Sequence, residues 1–168
     1  VLNLFASTGG ATLAAAAAGA HVTHVDASKG MVTWAKENAV SSGLGDAPIR
    51  WLVDDCVKFV EREIRRGSHY DAIIMDPPSY GRGPKGEIWK IEDAIHPLVK
   101  LCTKILSDDP LFFLINSYTT GLAPAVLTYM IATELKKYGG HVDSQEIGLP
   151  VSSNGLILPC GASGRWER

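Results

Sequence analysis

The feature that most constrains this chain is a regular alternation of short apolar runs with helix-like segments. Apolar runs stand at 1–5 (VLNLF), 21–26 (HVTHVD), 49–54 (IRWLVD), 70–76 (YDAIIMD) and 111–116 (LFFLIN). A helical pattern follows each, with Ser28 placed as an N-cap for a helix to about Ser41 and VKFVEREIRR (57–66) reading as an amphipathic helix stopped near Gly67. Ile91, Ile95, Leu98, Cys102 and Ile105 continue the spacing, with Pro97 as either a kink or the true start of that helix. After a helix at 122–138 and the stop Gly139-Gly140, two strand-like stretches follow directly, about 142–149 and 155–160. Strand–helix alternation predicts an α/β open sheet, mostly parallel, and the closing pair predicts a C-terminal antiparallel hairpin.

The bulk properties fit one domain spanning 1–168. The chain is 46% hydrophobic and 20% charged with a net charge of −2, so no domain-wide basic surface points to nucleic acid, although local patches are allowed. Cys56, Cys102 and Cys160 are widely spaced and odd in number, which fits reduced thiols in a cytoplasmic protein; no metal-ligand spacing occurs among them or the five histidines. The alanine-rich 14–18 segment is too short to span a bilayer, and no membrane association is expected. The oligomeric state is not legible. The chain opens inside a strand-like run without a Met, which reads as a piece whose upstream part is missing.

In such a sheet, ligands bind beyond the carboxyl ends of the strands, where the winding reverses. The first strand is followed by ASTGG, small residues entering a helix N-terminus, which suit an anion or simply a tight turn. The second ends in Asp26, placed to take two ribose hydroxyls or to cap a helix. The third ends in Asp54, Asp55 and Cys56, candidates for an adenine amine or a solvated cap pair. The fourth ends in Asp76, Pro77 and Pro78. A dinucleotide fingerprint needs G-x-G-x-x-G, and here only the adjacent Gly9 and Gly10 are in place. S-adenosylmethionine, with a ribose, an adenine and a carboxylate but no pyrophosphate, matches these loops better.

VLNLFASTGGATL, VDASKGMVTWAKEN, DDC and DPPSYGRGPKGEIWK together resemble the catalytic domain of class I S-adenosylmethionine-dependent methyltransferases. The similarity is greatest to the bacterial group containing the large-subunit 23S rRNA methyltransferases, and it extends through the terminal GLILPCGASGRWER. The resemblance implies a Rossmann-like seven-stranded sheet and an N-terminal extension, often an RNA-binding module. It implies cofactor contacts from Phe5, Ala6, Ser7, Thr8, Gly9 and Gly10, from Asp26, Ala27 and Ser28, and from Asp54, Asp55, Cys56 and Asp76. In related enzymes a D/N-P-P-aromatic segment lines the methyl-acceptor pocket, which makes Asp76, Pro77, Pro78 and Tyr80 the expected catalytic group. The prolines fix φ near about −65° and remove N–H donors, leaving carbonyl and carboxylate oxygens to meet an acceptor amine.

Arg82, Lys85, Trp89 and Asn116 are expected on the substrate, Trp89 as a stacking platform within a basic loop or, alternatively, packed inward beside a solvated loop. EREIRR reads as a charged helix face. Relatives that make 5-methylcytosine use a cysteine in the Asp-Pro-Pro loop or after the fifth strand, yet PPSY and INSYTTG hold none. The three cysteines read as packing residues, so the expected acceptor is a nitrogen of a nucleobase in rRNA. A protein or small-molecule acceptor, and a non-catalytic cofactor-binding module, stay open as alternatives.

Overall fold

The computed structural model describes residues 1–83 and 85–168. Within its seven-stranded sheet, β1 (Leu2–Leu4) is buried at every residue. To one side lie β2 (Val22–Asp26) and β3 (Ile49–Val53). To the other lie β4 (Ala72–Met75) and a later strand, Phe112–Ser117. These five strands are parallel, so the winding reverses between β1 and β4. That placement puts the loops after β1, β2, β3 and β4 on a single rim.

Helices α1 (Gly10–Ala17), α2 (Lys29–Ser41) and α3 (Cys56–Arg66) follow the first three strands. Ser28 caps α2 by accepting the Met31 N–H, and Asp55 caps α3 by accepting the Lys58 N–H. Gly67 ends α3 in the left-handed conformation. On α3 the buried face is Phe59, Val60 and Glu63, with Glu63 accepting hydrogen bonds from Tyr70 and Arg66.

The segment after β4 departs from its reading as a plain loop. Tyr80–Arg82 forms β5 and pairs antiparallel with β6 (Ile88–Lys90), a small ribbon separate from the main sheet. The helix expected near 91 begins at Ile91 and runs to Cys102 as α4, continuous across Pro97. Its apolar side buries Ile91, Ile95, Leu98, Val99 and Cys102, while Asp93 and Pro97 are exposed. Water can therefore satisfy the Asp93 carbonyl that loses its N–H partner at the proline.

The strand Phe112–Ser117 is β7, and α5 (Pro124–Leu135) leads to the closing hairpin, β8 (His141–Pro150) and β9 (Ile157–Glu167). β9 inserts antiparallel between β7 and β8 and extends beyond the expected end at 160. Gly161 and Gly164 look like breakers in sequence but serve close packing. A Cβ on Gly161 would lie 2.1 Å from the Ser117 carbonyl oxygen, and one on Gly164 would lie 2.7 Å from Leu127 Cβ. No helix among the described residues is long and apolar enough to cross a membrane.

Candidate active site

A cavity of about 500 Å³ opens at the carboxyl rim, within the ~300–1,000 Å³ range typical of small-molecule sites. It is built from the loops after β1, β2, β3, β4 and β7, with one wall from the β5–β6 ribbon. Phe5, Ser7, Asp26, Ala27, Ser28, Asp55, Cys56, Asp76, Pro77, Pro78, Arg82 and Trp89 all line it, and so do Val57, Gly81, Gly83 and Tyr118.

The loop after β1 folds tightly because Phe5 (φ 54°) and Ser7 (φ 48°) both adopt left-handed conformations. Such conformations cost free energy in residues with a Cβ and concentrate at functional sites. Two hydrogen bonds hold them. The Phe5 N–H donates to the Cys56 thiol at 3.3 Å, and the Ser7 N–H donates to Asp26 Oδ2 at 2.8 Å. Asp26 Oδ1 accepts the Ser28 N–H, also at 2.8 Å. Each carboxylate oxygen thus has one backbone partner and keeps acceptor capacity for a ligand hydroxyl.

Several expected contacts lie off the cavity. Ala6 is buried, and Thr8 gives its carbonyl to Asn38 Nδ2 at 2.9 Å. Gly9 (φ 89°) packs against α2, where a Cβ would sit 3.1 Å from Ala35 Cβ, so its missing side chain serves helix approach. Gly10 opens α1. Asp54 turns away to pair with Arg62. Tyr80 is half exposed, its hydroxyl accepting from Arg82 Nε at 3.3 Å. The Lys85 N–H is taken by Glu87, and Asn116 is half-buried on β7 opposite Ser163.

Asp76 sits on the inner wall. Its Oδ1 is buried and has no hydrogen-bond partner among the described residues, and desolvation raises its pKa above the ordinary carboxylate value. Tyr118, which the sequence reading assigned no role, faces it. Burial, followed by the nearby Asp76 charge and then Cys160, raises the Tyr118 hydroxyl. Its only sequence signal was its place just after the fifth strand.

The Cys56 and Cys102 thiols are fully buried and pushed far up by desolvation, which makes them packing groups. Cys160 is half-buried and donates weakly to the Leu158 carbonyl at 3.3 Å. Among the described residues no His, Cys, Asp and Glu cluster could hold a metal ion.

Three carboxylates (Asp26, Asp55, Asp76) and one guanidinium (Arg82) line the cavity, a field that favours a cation and opposes a pyrophosphate. Phe5, Val57, Pro78 and Trp89 add apolar wall for a planar base. A cationic nucleoside with vicinal hydroxyls fits that donor and acceptor set, and the cavity lies where the winding of the parallel strands reverses.

The sequence profile of the S-adenosylmethionine-dependent methyltransferase family matches residues 1–135, and the chain belongs to that family. Its cofactor is S-adenosylmethionine. The crystal structure of a SAM-dependent methyltransferase from Agrobacterium tumefaciens superposes with a TM-score of 0.93 at 43% identity, over 99% of this chain and 55% of that one. Ribosomal RNA large subunit methyltransferase K/L of Shewanella frigidimarina is 38% identical over 96 residues, 55% of this chain and 13% of the relative. Ribosomal RNA large subunit methyltransferase K of Neisseria meningitidis is 30% identical over 118 residues, 69% of this chain and 33% of the relative. The chain spans a third or less of those two ribosomal RNA enzymes.

Proposed function

We propose that residues 1–168 are the catalytic domain of a cytoplasmic enzyme that transfers the methyl group of S-adenosylmethionine to a nucleobase nitrogen in rRNA. The observation that carries this reading is the unpartnered Asp76 Oδ1 on the cavity wall. Leaving a buried acceptor unsatisfied costs about 1–3 kcal/mol, so a donor arriving with the substrate is its natural partner. An amino or ring N–H of a base is such a donor. The ribosomal RNA relatives support RNA as its source.

When bound, the cofactor supplies an electrophilic sulfonium methyl. The chain's part is to position and to manage protons. Asp26 takes the ribose hydroxyls, and Asp55 with the Cys56 backbone takes the adenine edge. Asp76 accepts from the acceptor N–H, orients the nitrogen lone pair, and receives the proton that the nitrogen sheds once methylated. Its raised pKa brings it closer to that task than an ordinary carboxylate. Pro77 and Pro78 offer no N–H to compete for the base. Tyr118, on the cavity wall and 52% exposed, offers a stacking surface, and the equally exposed Tyr80 offers a second on the adjoining ribbon. Arg82, Lys85 and Asn116 meet the surrounding RNA.

The test is transfer of labelled methyl from S-adenosylmethionine in an extract of ribosomal particles, followed by nuclease or protease treatment. Nuclease-sensitive label is expected. Label released only by protease, or found only in small molecules, replaces the RNA reading, and cofactor binding without any transfer supports a non-catalytic module.

A further inference from the structure

We infer that Trp89 is a positioning residue that transmits occupancy of the cofactor cavity to the Asp76–Pro78 segment meeting the acceptor. This rests on the methyltransferase reading above. The indole is half-buried rather than a free stacking platform, and it makes two specific contacts. Its ring packs against Phe5, centroids 4.8 Å apart and tilted by 53°. Its Nε1–H donates to the Pro78 carbonyl at 2.7 Å.

The β5–β6 register explains how one side chain reaches both. Trp89 lies directly opposite Gly81, which has no side chain to crowd the indole as it reaches Pro78. A Cβ on Gly81 would already lie 3.5 Å from Pro78 Cγ. The ribbon is held at its other end by Glu87, which pairs with Lys58 of α3 and accepts the Lys85 N–H at 2.9 Å. Among the described residues the acceptor segment's other ties are at its two ends: Asp76 N–H to the Leu4 carbonyl at 3.3 Å, and at Ser79 the Ile91 N–H to its carbonyl at 3.1 Å and a hydroxyl contact with Thr119 at 2.7 Å. Phe5 and Trp89 both line the cavity, so a ligand filling it presses on the indole. With the N–H fixed on Pro78, that contact narrows the positions open to Pro78 and Asp76.

Trp89→Phe keeps an aromatic ring against Phe5 and deletes the donor; Phe5→Leu keeps the donor and deletes the stack. Cofactor affinity is measured by calorimetry and, independently of any acceptor, hydrogen exchange at residues 79–82 is followed with and without S-adenosylmethionine. W89F is expected to bind cofactor within roughly threefold of wild type while losing at least about fivefold of the cofactor-induced protection. With acceptor RNA its kcat should fall about ten- to hundredfold at unchanged KM for cofactor. F5L should instead lose cofactor affinity. Undiminished protection in W89F overturns the inference, as does an affinity loss matching its loss of kcat, which would make Trp89 a wall only. If W89F unfolds, Trp89→Met, which fills the same wall without an N–H or O–H donor, replaces it with the same expectations. A wild type that binds no S-adenosylmethionine removes the reading beneath; coupling without RNA-dependent transfer removes only the RNA acceptor.

Discussion

The Ser7 N–H donates to Asp26 Oδ2 at 2.8 Å, joining the strained loop after β1 to the acid that ends β2. One carboxylate therefore holds both the loop and, in the proposed function, the ribose. Hydrogen bonds to a charged group contribute about 1.5–3 kcal/mol each, so Asp26→Ala should weaken S-adenosylmethionine binding at least about tenfold. Asp76→Ala should leave that affinity nearly intact while removing most turnover, because its partner is the acceptor. Calorimetry beside steady-state kinetics separates the two, and equal affinity losses would contradict the division of labour.

Asp76 also has a signature in stability. Burial raises its folded pKa above the ordinary 3.8, so from that value up to the folded pKa the native state binds more protons than the unfolded state. Stability falls as pH rises through that window and stays lower above it. Asp76→Asn, which cannot ionise, should be more stable than wild type at pH 8, with the difference shrinking in acid. Thermal melts across pH are the check; identical melting temperatures at pH 8 would contradict the assignment.

His24 titrates in the opposite sense. It is fully buried, shares a hydrogen bond of 2.8 Å with Thr12 Oγ1, and Thr12 in turn accepts from Asn3 Nδ2 at 2.9 Å. Desolvation lowers its pKa from 6.5 to about 4, against a smaller opposing pull from Asp26. Between those values the unfolded state binds the extra proton, so stability is lost as pH falls, on the order of 3 kcal/mol over the whole window. Urea denaturation at pH 7 and pH 4.5 should show this drop in wild type and a smaller one in His24→Gln. An equal drop in both would place the acid sensitivity elsewhere.

The parts of the site legible in sequence were those tied to strand ends. Asp26, Asp55 and Asp76 each close an apolar run or start a helix, so the alternation alone put them on one rim. Asp54 and Asp55 are adjacent and chemically identical, and only the fold turns one toward Arg62 and the other to the cavity. The β5–β6 ribbon was hidden because its three-residue strands are too short for an alternating pattern. Tyr118 reaches the cavity through the pairing of β7 with β4, a relation between residues far apart in the chain. Phe5 and Ser7 take left-handed conformations with no glycine to announce them.

The thiols give a further prediction. The proposed transfer to nitrogen needs no covalent adduct with the enzyme, which agrees with Cys56 and Cys102 being buried and protonated and Cys160 hydrogen-bonded on β9. Replacing all three by Ser or Ala should leave substantial activity, after roughly 1–3 kcal/mol of packing stability is lost. RNA containing 5-fluorocytosine should give no shifted band on a denaturing gel. A cofactor-dependent band that vanishes with Cys160→Ala would name that thiol as a nucleophile.

The most direct measurement is the identity of the methylated nucleoside. The protein is incubated with labelled S-adenosylmethionine and unmodified rRNA, and the RNA is digested to nucleosides for chromatography with mass spectrometry. Transfer to nitrogen predicts label in an N-methylated nucleoside, abolished by Asp76→Ala. Label in 5-methylcytidine, or label undiminished by Asp76→Ala, would contradict it.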